Sequence, residues 1–252
     1  MPFHDWDRVD AGIFHYFRML WITSICNALN GGLLPRRYYA MGEQRAAGDE
    51  PDVLTLHAGP SEGEENGRGA SVPPDDDGGG LLVARPQVRI YEESDTEAYR
   101  RKQNSVVIRH ASDDRIVAMT EIVSWGNKST RAALDTFVQK ISKFLERGIH
   151  QLIIDIQSPG PNDPEGIHGA IWDYLTGRRY AAPSDKPMTV VSYEYDLAFR
   201  AYVEPVAVGD PLPDMPLFLQ PGRWVKIPLE ETYQAAWSVF PRRWKDVIDP
   251  GS

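Results

Sequence analysis

The sequence predicts an α/β (α+β) fold, a mixed central β-sheet with helices on either face. Three observations carry this. Residues 10–30 and 129–147 repeat apolar side chains at steps of three and four, the period of a helix with one buried face. QLIIDI (151–156) is almost continuously apolar, as in a strand buried on both sides. Strand, helix and strand follow one another over 115–156, an order that implies a crossover and one parallel pairing.

The elements follow in order. In the first helix Ile13, Phe14, Phe17, Leu20, Trp21, Ile25, Ala28 and Leu29 form the stripe. Asp10 is suited to its N-cap, and Asn30-Gly31-Gly32 stops it. Cys26 lies at the edge of the stripe and reads as a buried, inert thiol, because nothing nearby lowers its pKa. Strands are predicted at 38–45 and at 51–57, the second opened by Pro51. A third short strand is predicted at 85–93. NSVVIRHA (104–111) and RIVAMTEIVS (115–124) flank Ser112-Asp113-Asp114, a hairpin signal. The second clear helix, 129–147, carries Leu134, Phe137, Ile141, Phe144 and Leu145 and ends at Gly148. A short helix is predicted at 164–175, a hairpin from 188–196 and 199–206, and a last short helix at 229–240. DPLPDMPLFLQPG (210–222) reads as proline-rich extended chain wrapping the surface.

Composition narrows the classes of function. The chain of 252 residues reads as a single domain, with a core at 38–156 and a C-terminal extended and helical wrap at 207–252. A single cysteine excludes a disulfide framework or a cysteine-rich metal site built by one chain. No apolar run is long enough to span a bilayer and no secretory signal is visible, so a reducing cytoplasm without a membrane partner is the default expectation. The net charge is -9, opposite to the balance of most proteins that coat a phosphate backbone. Residues 59–80 hold six acids and one arginine, with almost no apolar side chains, and read as a flexible acidic loop. Outside that loop the balance neither favours nor forbids nucleic acid.

Three acids fall at informative places: Glu43 near the end of the first strand, Asp52 at the start of the second, and Glu121 within an apolar strand. An acid inside such a strand must meet solvent, a partner or a metal, since burying it alone costs several kcal/mol, roughly, even after relaxation. Lys128 follows that strand closely, and Lys140 lies beside Ile141 on the next helix. Carboxylates on adjacent strands suit Mg²⁺, which takes oxygen ligands and often only one or two from protein. A nearby ammonium can stabilise charge on a phosphoryl group. That set fits phosphodiester hydrolysis. Structural alternatives stand beside it. Glu43 would pair with Arg45 or Arg37, and Asp52 would cap a turn. Lys128 would be a solvated loop residue, and Lys140 would pair with Asp135 or Glu146. Asp155 would be a buried acid receiving backbone hydrogen bonds. His4 and His15 would pack together or serve the sheet edge. No zinc-ligand spacing, phosphate-binding glycine loop or nucleophile-elbow motif is present.

Pro51-Asp52-Val53, Glu121-Ile122-Val123-Ser124, Lys140 ahead of Gly148-Ile149, and Leu152-Ile153-Ile154-Asp155 together resemble the PD-(D/E)XK nuclease superfamily, with its restriction-endonuclease-like core. The nearest pattern is that of small bacterial members whose lysine has moved onto the next helix. The superfamily's usual lysine position, two after the strand glutamate, holds Val123 here, so the resemblance gives that role to Lys140 or Lys128. The chain also resembles, over nearly its whole length, an uncharacterised bacterial domain family. The shared segments are Phe3 to Trp6, Ala28 to Gln44, Asn127-Lys128 and Asp210 to Leu219. The first resemblance implies a Mg²⁺ held by Asp52 and Glu121 with Glu43 assisting, and a lysine acting on the scissile phosphate. Its substrate would be nucleic acid or a small phosphorylated molecule, and many such folds work as dimers. The alternative is a catalytically inactive fold of this type serving as a binding or scaffolding module.

Overall fold

The computed structural model describes residues 3–42, 90–93 and 106–250. Among them, nine strands and six α-helices are built as the periodicities dictate. The first helix, α1 (Ala11–Ala28), buries Phe14, Phe17, Trp21 and Ile25. A π-type turn, Leu29–Leu33, ends it, and Gly32 there adopts φ 131, where a side chain would be strained. The Asn30 side chain donates to the Ala40 carbonyl and accepts from the Ala40 amide, tying the turn to β1 (Tyr38–Gly42). The chain continues through β2 (Ile90–Glu93), β3 (Val106–His110) and β4 (Ile116–Ile122). A one-turn helix, α2 (Trp125–Lys128), precedes α3 (Arg131–Glu146), whose Thr130 N-cap accepts from the Ala133 amide. Then come β5 (His150–Asp155), α4 (Gly166–Thr176), β6 (Met188–Tyr195) and β7 (Phe199–Val206). The chain closes with β8 (Asp214–Gln220), β9 (Arg223–Pro228), α5 (Leu229–Ser238) and α6 (Arg242–Ile248).

Seven strands form one mixed sheet in the order β1-β3-β4-β5-β6-β7-β2. β4 and β5 are parallel, with Glu121 opposite Ile153, and α3 is their crossover. Every other pairing in the sheet is antiparallel. β5 is buried along its whole length, with Leu152 and Ile154 on one face and Ile153 on the other. On the first face α1, α5 and the β8–β9 hairpin cover Val106, Ile108, Ile122, Leu152, Ile154 and Val190. On the second, α3 and α4 cover Val123, Ile153, Val191, Tyr193 and Val203.

The α/β class, the two long helices and both hairpins stand where the sequence places them. The strand predicted over 51–57, the acidic loop 59–80, Glu43 and Asp52 lie outside the described residues. The C-terminal region departs from expectation. Residues 210–222 are not a surface wrap; β8 and β9 form a buried antiparallel hairpin lying across β4, β5 and β6. Met215, Leu217 and Leu219 alternate into the core with Val225 and Ile227, while Phe218 and Trp224 turn the other way against Tyr202. Pro221-Gly222 makes the two-residue turn, Gly222 taking the φ of 70 that the position needs. The Gly222 amide donates to the Glu194 carboxylate and Ser192 donates to the Pro216 carbonyl, so the hairpin is pinned by polar bonds to β6. Period-two alternation outweighs three prolines because Pro216 exposes only a carbonyl need and Pro211 and Pro213 precede the strand.

Two outcomes test this packing. Leu217→Ala should cost about 2–5 kcal/mol in urea unfolding, the usual cost for a buried leucine; a loss below about 0.5 kcal/mol would fit a surface strap instead. His150 is 2% exposed, and its Nδ1 accepts from the Tyr195 amide. Burial pushes this histidine down to about 4. The folded state therefore binds fewer protons than the unfolded chain between about pH 6.5 and 4, so stability falls as pH drops through that window. The stability difference between the parent and His150→Asn should change by about 3 kcal/mol between about pH 7 and 4; a constant difference would contradict the burial.

Candidate functional site

The acids and lysines of the second face sort into two buried clusters. Glu121 lies near the end of β4, on the side covered by α3, because its parallel partner Ile153 faces that way. On α3 the buried positions Phe137, Lys140, Ile141 and Phe144 share the sheet-facing stripe. This puts Lys140 over Glu121, with Nζ 2.6 Å from Oε1. Both residues are almost fully buried, at 4% and 3% exposure. Burial pushes the Lys140 ammonium below the usual lysine range; Glu121 pulls it back, and Arg18 of α1 adds to the downward push. Lys140 Nζ also lies 5.1 Å from the Phe137 ring. Arg18 donates through Nη1 to the Ile122 carbonyl, so α1 brings a second cation to the strand carrying Glu121. Burial likewise lowers the Arg18 guanidinium, and Glu121 opposes this.

The second cluster centres on Lys128. Its Nζ donates to both Asp155 oxygens at 3.0 and 3.1 Å and to the Gln157 carbonyl at 3.0 Å, and lies 3.1 Å from Asp163 Oδ2. The side chains of Lys128, Asp155 and Asp163 are at most 1% exposed. α2 delivers the lysine: Asn127 Oδ1 accepts from the Ser124 amide and hydroxyl, closing the turn after β4. Asp155 ends β5 and accepts from the amides of Ile167, in the first turn of α4, and Gln157. Asp163 accepts from the Gly160 amide at 2.7 Å. Burial alone would push the ammonium down, but the two carboxylates hold Lys128 above its usual range. Burial pushes the Asp155 carboxyl up; Lys128 opposes this, while Asp163 adds to it. One ammonium between two acids is held in its charged form. A lysine held this way is a fixed internal cation, not a base or nucleophile.

Of the residues singled out from sequence, the structure joins Glu121 with Lys140. Lys140 of α3 pairs with Glu121 on the sheet face it covers, and Arg131 takes Asp135 at 3.0 Å. Lys128 is neither solvated nor beside Glu121. Asp163 was not singled out, since it sits in a loop distant in sequence, and only the β5–α4 connection brings it to Lys128. Asp155 is the buried acid with backbone donors that its strand position suggested. Glu43 and Asp52 are outside the described residues; β4 itself is paired with β3 on one side and β5 on the other, so the expectation of an Asp52 strand directly beside that of Glu121 is not met. No group of three His, Cys, Asp or Glu side chains suited to a metal occurs among the described residues. Cys26 is half-buried, with burial raising its thiol to about 11, in keeping with an inert role. His4 and His15 do not pack together: His4 stacks on Trp237 and His15 contacts Arg18.

Between α3 and α4 lies a cleft of about 480 Å³, lined by Arg131, Asp135, Asp173, Tyr174 and Arg179 among others. Asp163 is among the residues lining it, so the Lys128 cluster borders this cleft. No described helix is long and apolar enough to cross a membrane. No family model, no curated protein and no solved structure matches the chain.

Lys128→Met should destabilise the protein by about 3–5 kcal/mol, because it leaves two buried carboxylates without their cation. Adding Asp155→Asn and Asp163→Asn should recover part of that loss in chemical denaturation. A single-variant cost below about 1 kcal/mol would show that the cluster is solvated.

Proposed function

We propose that this chain is a Mg²⁺-dependent phosphodiester hydrolase in which Glu121 and Lys140 form one half of the site. The supporting observation is the 2.6 Å contact between them, which unites the strand acid and relocated lysine of the nuclease-like pattern. The element order α1-β1-β2-β3-β4-α2-α3-β5, with β4 and β5 parallel through α3, is compatible with that reading. Asp52 and Glu43, outside the described residues, would supply the further carboxylates. The Glu121 carboxylate is the hard oxygen donor that Mg²⁺ prefers, but a single carboxylate is a weak holder, so the fit rests on Asp52 joining it. When bound, Mg²⁺ would polarise a phosphoryl oxygen. Glu121 holds the Lys140 ammonium in one orientation and opposes the downward push of burial on it. Lys140 would then present its charge to a non-bridging phosphate oxygen. β4 and α3 fix both groups on rigid elements.

A second reading is favoured by one observation: Glu121 and Lys140 are closed off from solvent. In that reading the pair is structural and the chain is a binding or scaffolding module.

Calorimetry with and without Mn²⁺, together with incubation with a mixed DNA and RNA pool and an aryl phosphodiester, separates the two. The hydrolase reading predicts a rise in melting temperature, equivalent to about 2.7 kcal/mol when Mn²⁺ exceeds its Kd about 100-fold. It also predicts that Asp52→Asn removes the shift, and that Glu121→Gln lowers cleavage by about 100-fold or more. A thermal shift without cleavage of any substrate supports the binding module. No shift at millimolar Mn²⁺ contradicts the hydrolase.

A further inference from the structure

We propose that His4 and Tyr233 form a proton-operated latch that holds the N-terminal segment against α5 and releases it in mild acid. The contact is defined by its donors. The Tyr233 hydroxyl oxygen accepts from the His4 amide at 3.1 Å and from Trp6 Nε1 at 3.2 Å. Those two donors occupy its lone pairs, so its own proton points to the remaining neighbour, His4 Nδ1, at 2.9 Å. Nδ1 is therefore an acceptor, and neutral His4 carries its proton on Nε2. Burial holds the Tyr233 hydroxyl protonated, keeping it a donor. A second proton on His4 can go only to Nδ1. That sets two hydrogens against each other on one axis, and the hydroxyl has no lone pair left to accept.

The surroundings do not reverse this. His4 stacks on Trp237 at 3.7 Å, and the groups facing it from α5 are Tyr233 and Glu230. Glu230 accepts from the Leu212 amide and from Gln234. From α6 comes Lys245, and after α6 comes Asp249, whose Oδ2 is 3.9 Å from Nε2, beyond hydrogen-bond reach and 40% exposed. Burial dominates and holds the imidazole below its ordinary value; Asp249 and Glu230 oppose it, while Lys245 and the chain's amino group add to it. The docked segment thus binds fewer protons than the released one, and docking weakens as pH falls below about 6.5. Other contacts share the load: Arg8 Nη1 donates to the Ile248 carbonyl, and Phe3 and Trp6 are buried. Phe3 exchanges backbone hydrogen bonds with the Gly209–Asp210 turn, and Trp6 is wedged among Phe14, Phe17, Trp237 and Phe240. Release would expose Phe3 and Trp6 and uncover the seam between α1 and α5.

The test is hydrogen exchange of the full chain, corrected for intrinsic rates, at about pH 7.5 and about pH 5. The latch predicts that the amides of residues 3–8 lose about tenfold or more protection at the lower pH while β5 keeps its own. His4→Asn, which retains an uncharged acceptor, should keep the segment protected at both pH values. Tyr233→Phe should lower protection at both pH values. Equal parental protection at the two pH values would overturn the latch, as would the same acid loss in His4→Asn. Loss of β5 protection together with the segment would mean global acid unfolding and would equally overturn it.

Discussion

The crossover from β4 through α3 to β5 is the constraint on which the second face of the molecule depends. Parallel pairing makes the chain return over the sheet, and the only sheet-facing stripe α3 owns contains Lys140 among Phe137, Ile141 and Phe144. An ammonium buried there is tolerable only with a carboxylate against it. Glu121 occupies the one β4 position that answers, because its parallel register with Ile153 turns it toward α3. The same crossover sets Asp155 at the end of β5, where the turn after β4 delivers Lys128. Two charged contacts thus follow from one topological choice, and together they bind the β4 end, the β5 end, α2, α3 and the first turn of α4.

The opposite face uses different physics. There the joint between α1 and α5 is aromatic, with Phe17, Trp21, Tyr233, Trp237 and Phe240 in edge and stacked contacts. Its few polar atoms are satisfied within it: Trp21 donates to Thr232, and Trp6 donates to Tyr233. A seam of this kind is tight while its hydroxyl acceptors stay in place. Arg18 links the two faces, since it leaves α1 to reach the Ile122 carbonyl next to Glu121.

Much of this arrangement was legible in the sequence. Periodicity located α1 and α3, and the apolar run 151–156 announced a buried strand and its parallel neighbour. The hairpin β3–β4 followed from Ser112-Asp113-Asp114. What escaped had physical reasons. The alternation Met215, Leu217, Leu219 was masked by prolines that sit where the ladder does not need their amides. Pro221-Gly222 was the signal that would have identified the turn. The burial of Lys128 was illegible, since its partners Asp155 and Asp163 are brought by a strand end and a loop far along the chain. The Glu121–Lys140 contact was suggested by resemblance, but only register and helix phase decide between Lys140 and Lys128. The role of His4 depended on Tyr233, a residue near the other end of the chain.

The central claim is that Glu121 and Lys140 act as one unit, and a double-mutant cycle in urea unfolding tests it most directly. Glu121→Gln and Lys140→Met should each cost about 3–5 kcal/mol, since each strands a buried charge. The double variant should cost less than their sum by about 2 kcal/mol or more, the coupling expected of residues in direct contact. Costs that add to within about 0.5 kcal/mol would show that the two side chains do not depend on each other and would contradict the account.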